Sequence, residues 1–387
     1  MGWRKLKVPF FDLGSFIQDR KTGVLDAIER VLDGGIYVGG EEVLSFEKAF
    51  ASSVGSKHCV SVGNGLDALR LILESHNIGP GDEVIVPGFT FYATWLAVMQ
   101  TGASPVAVDV NLEDASINPA LIKDAITSKT RAIIVVHLFG ISADMLAVGK
   151  VAKDYDLLVF EDAAQAHSGT TNAGHVGSSG DAAAFSFYPT KNLGALGDGG
   201  AITTNNAEVA ARIMSLRSYG VGKTKYEHVE AGWNSRLDTI QAAVLSLFLR
   251  DLSVVTDFRR SIATQYEAAL SSPDLEIVRS NAHETNVFHH FVVRTANREE
   301  LRQSLLNSGV GTDLHYPYYF NSISPVRQFL HERGLPSPPL PNAKKLASSV
   351  VSLPIGPWMS GAQVTQVAGV LSGLGLGGNR FLDSSSS

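Results

Sequence analysis

The sequence carries one cysteine, Cys59, among 387 residues. A lone thiol excludes an intrachain disulfide and a thiolate metal cluster, and it fits a reducing, cytoplasmic setting. Long apolar runs are also scarce: the longest, around Ala132–Phe139 and Phe91–Met99, fall far short of the roughly 18 residues of a membrane span. Near the N-terminus Arg4, Lys5 and Lys7 precede an apolar stretch, Val8–Phe11, that stops at Asp12 with no cleavage pattern behind it, so no signal peptide is read. Leu6 stands where N-myristoylation wants a hydroxyl residue. Basic charge is short too. Lys plus Arg number 32 against 38 Asp plus Glu, a net charge of -6, and no basic run stands out. The electrostatic footprint of a nucleic-acid binder is therefore missing, and small molecules are the expected partners.

What is present describes a globular chain: 44% hydrophobic and 18% charged residues, at a length that suits about two domains. From residue 58 to 205, short β-rich apolar runs alternate with helical spacing, as at Leu66, Leu69 and Leu73 and in Met145–Ala152. This rhythm predicts an α/β fold with a mostly parallel sheet flanked by helices. Seven strands are expected: His58–Val62, Val84–Val86, Pro105–Val108, Ile133–Leu138, Leu157–Phe160, Ala182–Phe187 and Ala201–Thr204. Residues 206–250 read as two helices around a long polar loop, Tyr219–Trp233. After residue 250 the pattern becomes a smaller α+β domain, giving expected domains of 1–250 and 251–387. It holds a helix Phe258–Leu270, strands Leu275–Val278 and Val287–Val293, a helix Glu299–Ser308, a strand near Thr312–His315 and a closing helix from Ser360. Clustered prolines make Pro317–Pro341 an expected excursion over the surface. The run Ser384–Ser387 has no core-forming residue and is expected to fray.

Three strand ends carry chemistry. An apolar strand delivers Lys191 to a Gly-rich loop, 192–200. Alone it would be a solvated loop lysine, but a lysine so placed can also form an imine with a carbonyl. Leu157–Phe160 runs into Glu161-Asp-Ala-Ala-Gln-Ala-His167, at the carboxyl end of a parallel strand, where open α/β sheets bind ligands. Val60–Leu69 opens a helix after Gly63 and Gly65, whose free backbone N–H groups suit a phosphate. An anion cradle, a carboxylate and an imine-forming lysine are together what pyridoxal 5'-phosphate requires.

These motifs resemble the nucleotide-sugar aminotransferases of the DegT/DnrJ/StrS type, which are fold-type I pyridoxal phosphate enzymes. The resemblance runs through Val8–Leu13, Gly34–Gly40, Phe46-Glu47, Gly79–Pro87, Glu161–His167, the Lys191 loop, Gly232–Asp238, His315–Pro317 and Ser352–Ile355. It implies that Lys191 is the Schiff-base lysine, Asp162 the partner of the pyridinium nitrogen and Gln165 the residue that reaches the ring hydroxyl. It implies that Phe91 stacks on the ring and that Ser186 binds the phosphate. The chain has Gly65-Leu66 where the commoner pattern is Gly-Thr, so a hydroxyl contact is missing and the N–H groups of Leu66 and Asp67 are expected to serve. Asn234 is implied to reach the phosphate of a neighbouring subunit, in a homodimer with shared active sites. His167, Tyr188, His315 and Tyr316 are candidates for the sugar side. His289-His290, in an apolar stretch, reads as structural, and no metal site is expected.

The activity so implied moves an amino group from L-glutamate to a nucleotide-linked keto sugar. The stretches Gly63–Leu69 and Asn192–Asp198, with Trp95 and Asn234-Ser-Arg236, resemble the subgroup that aminates carbon 3 of dTDP-3-keto-6-deoxyhexoses. Amination at carbon 4 of a UDP- or GDP-sugar is the nearer alternative, and a non-enzymatic cofactor-bound regulator the more distant one. A dehydratase of the same fold would carry His in place of Lys191.

Overall fold

The computed structural model describes residues 6–224, 226–279 and 286–374. Lys225 and the Ser384–Ser387 run lie outside the described residues. Strands β1 (His58–Val62), β2 (Glu83–Pro87), β3 (Ser104–Val108), β4 (Thr130–Val136), β5 (Leu158–Asp162), β8 (Ala182–Ser186) and β9 (Gly200–Thr204) form one sheet in the order β1-β9-β8-β5-β4-β2-β3. Between β5 and β8 sits a two-stranded ribbon, β6 (Thr170–Thr171) and β7 (Gly174–His175). All seven expected strands of the large sheet are present. β9 runs antiparallel to both of its neighbours, β1 and β8, and every other pairing in the sheet is parallel. The carboxyl ends of β1, β2, β4, β5 and β8 therefore share one edge with the start of β9, and the chemistry-bearing loops leave from that edge.

Both faces of the sheet are covered, which is why its strands read as near-continuous apolar runs. On one face Val60, Val62, Val84, Val86, Phe160, Ala182 and Ala184 pack under helices Gly65–Ser75 and Tyr92–Gln100, with Trp95 wholly buried. The Trp95 indole N–H donates to the Pro87 carbonyl at 2.9 Å, so its one polar atom is satisfied. The other face gathers Phe46, Phe50, Phe185 and Phe187 in edge-to-face contact with helix Glu41–Val54.

The C-terminal part is built on an antiparallel sheet, β10 (Glu276–Ile277), β11 (Phe291–Arg294) and β12 (Val350–Leu353), against helices Leu252–Ala269 and Gly361–Gly373. The expected strand Val287–Val293 shortens to its second half. Arg259, fully buried in the first of these helices, donates to the carbonyls of Phe288, His289 and Ile355 and holds 288–290 out of line. The expected strand near Thr312–His315 reduces to a single bridge from Asp313 to Ser352, in β12, which the sequence pattern had not marked as a strand. Pro317–Pro341 is a correction of a larger kind. It folds into a 3-10 turn, Phe320–Ser322, and a helix, Ser324–Glu332, and buries Phe320, Val326, Leu330 and Leu340 beside Trp95. Two of its prolines, Pro325 and Pro341, sit at helix starts, where a missing N–H costs nothing. Several ties join this part to the rest. The Asp109 carboxylate accepts the first N–H groups of helix Pro341–Ser349, from Asn342 and Ala343, at 2.9 Å each. Val8 pairs with Val310, placing Phe10 against His315.

Candidate active site

A cleft of about 370 Å³ opens at the carboxyl edge of the large sheet. Its wall includes Lys191, Asp162, Gln165, Ser186, Gly65, Leu66 and Phe91 from the large sheet's loops. Tyr188, His315 and Tyr316 complete the sequence-expected residues that reach it.

Side chains alternate along a strand, so Glu161 and Asp162 at the end of β5 point to opposite faces. Asp162 turns to the cleft. Its Oδ2 accepts the Thr94 hydroxyl at 2.8 Å, and its Oδ1 accepts only a longer bond, 3.3 Å, from the Ala164 N–H. Burial raises the Asp162 carboxyl above its ordinary value, and the Thr94 and Ala164 bonds and the Lys191 charge pull back only in part. Lys191 follows β8 in a tight turn, its N–H bonded to the Tyr188 carbonyl at 2.8 Å. Gly194 permits that turn, because a Cβ there would come 2.5 Å from the Pro189 oxygen. Burial lowers the Lys191 amine to about 8 against the opposing pull of Asp162. An amine so shifted is a ready nucleophile and proton carrier near neutral pH.

The phosphate end lies at the start of helix Gly65–Ser75. Asn64 caps it, its Oδ1 accepting the Asp67 N–H at 2.8 Å. That bond corrects the expectation for Asp67, whose N–H is already engaged and whose carboxylate faces Arg70 and Ser235 instead. The first-turn N–H groups of Gly65 and Leu66 remain for an anion. Gly65 is required there, since its Cβ would sit 2.8 Å from the Ser186 Cβ. Ser186 thereby brings its hydroxyl to the same mouth.

Across the cleft Gln165 is locked at both ends: its Oε1 accepts the Phe139 N–H at 2.6 Å and its Nε2 donates to the Tyr316 hydroxyl at 2.9 Å. Burial lifts the Tyr316 phenol well above its ordinary value, so it stays protonated, and with Gln165 supplying a donor its own proton is free to point elsewhere. Phe91, half exposed, caps helix Tyr92–Gln100 with its ring centroid 5.4 Å from that of Tyr316.

His289 and His290 correct the sequence reading, for both line the cleft. The bend held by Arg259 turns them there before β11 begins. His290 stacks on His315 with centroids 3.8 Å apart and 16° between planes. Burial first, then neighbouring charges, holds His289 and His290 well below the ordinary imidazole value. Burial, with Asp313 opposing, brings His315 to about 4. The three are therefore neutral donors and acceptors. Among the described residues no group of three His, Cys, Asp or Glu side chains is placed to hold a metal ion.

Besides Asp67, two expected residues stay outside. His167 is wholly buried between Phe185 and Phe187 on the far face, and neither ring nitrogen makes a well-formed hydrogen bond. Burial lowers it to about 3. Asn234 lies on the surface, accepting from Arg236 at 2.7 Å, and does not line this chain's cleft. The sequence reading also missed Thr90 and Thr94. Thr90 stands just before helix Tyr92–Gln100 and Thr94 in its first turn, and the entry into the helix brings the two hydroxyls together beside Asp162.

These groups fit pyridoxal 5'-phosphate. A cradle that a Cβ would fill, a buried carboxylate with one under-used oxygen and a buried amine border one cavity. The cleft falls in the size range of cofactor sites.

The model of the DegT/DnrJ/EryC1/StrS aminotransferase family matches residues 18–372. A dTDP-3-amino-3,6-dideoxy-alpha-D-galactopyranose transaminase of Aneurinibacillus thermoaerophilus is 45% identical, over 93% of this chain and 97% of its own length. A dTDP-3-amino-3,4,6-trideoxy-alpha-D-glucose transaminase of Streptomyces venezuelae is 42% identical, over 93% and 94%. The crystal structure of S. venezuelae DesV in complex with a ketimine intermediate superposes with a TM-score of 0.90 at 41% identity, covering 95% of this chain and 98% of that one. With this agreement along almost the whole length, the chain belongs to the DegT/DnrJ/EryC1/StrS aminotransferase family.

Proposed function

We propose that the protein is a pyridoxal-phosphate-dependent aminotransferase that moves the amino group of L-glutamate to carbon 3 of a dTDP-3-keto-6-deoxyhexose. The products are 2-oxoglutarate and the dTDP-3-amino-3,6-dideoxyhexose. The observation that carries the aminotransferase reading is the convergence of Lys191, Asp162, Gln165 and Ser186 on one cleft. The sugar and the position of amination rest on the named activities of the two relatives.

Pyridoxal phosphate, when bound, supplies an electron sink for carbanion chemistry at the amino carbon. The chain's residues make that possible. Gly65, Leu66 and Ser186 would hold the phosphate, Asp162 would keep the ring nitrogen protonated, and Phe91 would cover the mouth. The Lys191 Nζ, lowered to about 8, takes and returns the proton that moves during exchange. Tyr316, His290 and His315, all neutral, offer hydrogen bonds to sugar hydroxyls rather than charges to a carboxylate.

The working unit in this reading is a homodimer in the cytoplasm. Leu25 and Leu32 on helix Lys21–Gly34, with Ile36, Tyr37 and Val38 in the segment after it, leave apolar surface more than half exposed at each position. Asn234, outside its own cleft, would serve the partner's phosphate. The division near residue 250 into a cofactor-binding and a smaller C-terminal domain belongs to the same reading. The test is incubation of purified protein with L-glutamate and a panel of keto-sugar nucleotides, followed by NMR of the product. An amine at carbon 3 of a dTDP-sugar is expected, and an amine at carbon 4 overturns the assignment.

A further inference from the structure

We propose that Thr90 and Thr94 form a directed pair of hydroxyls that fixes the orientation of Asp162, which makes Thr94 the positioning residue for this acid. The inference rests on the reading that Asp162 faces the ring nitrogen of pyridoxal phosphate.

Both threonines are wholly buried. Thr94 lies in the first turn of helix Tyr92–Gln100, where threonine hydroxyls commonly turn back to the backbone or cap the helix. Here Phe91 is the cap residue and the Thr94 hydroxyl goes instead to Asp162 Oδ2, 2.8 Å away. An ionised carboxylate only accepts, so the single Thr94 proton is committed to that bond. The Thr90 to Thr94 contact, 3.2 Å between hydroxyl oxygens, then has one possible direction, with Thr90 donating. Thr94 is left as both acceptor and donor, a polarised arrangement that strengthens its bond to the acid.

The other carboxylate oxygen shows the consequence. Among the described residues Oδ1 receives only the 3.3 Å bond from Ala164, so it keeps acceptor capacity while Oδ2 is occupied. Fixing Oδ2 toward the helix determines where Oδ1 points. The charged or titratable groups that face Asp162 from the elements around it are Lys191 from its loop, His137 from the end of β4 and Tyr316 from the C-terminal part. Among the described residues only the Thr94 hydroxyl and the Ala164 N–H reach its carboxylate within hydrogen-bonding distance, so loss of the Thr94 donor falls directly on the acid.

The test uses the purified holoprotein with Thr94→Val, which keeps the shape and removes the hydroxyl, and with Thr94→Ser, which restores a hydroxyl. Thr90→Val and Asp162→Asn complete the set. Two readouts are followed: retention of pyridoxal phosphate in equilibrium dialysis, and the pH dependence of the bound cofactor's visible absorption. Thr94→Val is expected to weaken retention by about tenfold or more, the worth of a hydrogen bond to a charged group. Because the lost bond favoured the ionised acid, the absorption midpoint assigned to Asp162 should move to higher pH. Thr94→Ser should restore retention and midpoint, which a purely structural role would not require, and Thr90→Val should show the same shift in smaller measure. If Thr94→Val unfolds, Thr94→Ala carries the same expectation. Wild-type retention and midpoint in Thr94→Val, with Asp162→Asn impaired, overturn the relay and leave Asp162 in its role. Wild-type behaviour in Asp162→Asn overturns the underlying reading itself.

Discussion

Glu161 and Asp162 are neighbours on one strand, both buried, and their surroundings push them in opposite directions. Glu161 accepts the His137 Nε2–H at 3.0 Å and the N–H groups of Gly177, Ser179 and Gly180 at 2.8 to 2.9 Å. His137 Nδ1 in turn accepts the Ala143 N–H, which leaves the ring proton on Nε2 for Glu161. Burial pushes the Glu161 carboxyl up, but the His137 and backbone bonds outweigh it and the net shift is down. Asp162, with one good bond and one weak one, is held up. A carboxylate with every lone pair taken is a structural anchor, while one left short can meet a ligand.

The comparison breaks most visibly in turnover. Lys191→Ala should lower it by about 10²–10⁴-fold, the worth of a positioned proton carrier. Asp162→Asn should also lose activity by orders of magnitude while its urea unfolding stays wild-type, since no stabilising charge is removed. Glu161→Gln should do the reverse. Its amide would set an NH₂ against the loop's N–H donors, costing about 3 kcal/mol in unfolding free energy, with the cofactor still held. Near-native turnover in Asp162→Asn would mean that the ligand-facing acid had been misplaced.

Two pH experiments sharpen the contrast. The rate of Lys191 modification by an amine-specific reagent in cofactor-free protein should rise with a midpoint near 8 as the amine loses its proton. Because the Asp162 charge opposes the downward shift, Asp162→Asn should move that midpoint lower still, and Glu161→Gln should leave it in place. For stability, Glu161 has a native value below its ordinary 4.5. Its contribution is present above that ordinary value and is lost as pH falls through the native one. Acid unfolding followed by circular dichroism should therefore begin at higher pH in wild type than the carboxylate's native value alone would suggest, and should lose this component in Glu161→Gln.

The smallest effect belongs to His167. Its imidazole lies among Phe185 and Phe187, is brought to about 3 by burial, and does not reach the cleft. His167→Phe should change stability by less than about 1.5 kcal/mol and leave steady-state turnover unaltered. A collapse in turnover would return His167 to the sugar side.

His167 also shows where a sequence stops being legible. The seven strands of the large sheet could be read because burial on both faces leaves short apolar runs between polar turns. Lys191, Asp162 and Gln165 could be read because a strand end states which residues leave the sheet. What a loop does next is set by contacts distant in sequence. Whether residue 167 returns to the cleft or turns into the Phe185 cluster depends on β8, the strand beside β5 in the sheet. Arg259 bends 288–290 into the cleft from a helix that precedes them, so the two histidines looked like strand core. In Pro317–Pro341 the prolines suggested surface, yet the apolar residues between them had a core to enter that only the fold provides.

The bridge from Val8 to Val310 bears on the order of assembly during synthesis. In the large sheet β2 to β5 can pair soon after they leave the ribosome, while β1 waits only for β9. Phe10 and Phe11 cannot take their places beside His290, His315 and Trp358 until residue 358 has emerged. Phe10 and Phe11 thus settle after the large sheet that follows them in the chain, and one wall of the cleft closes only with the C-terminal part in place.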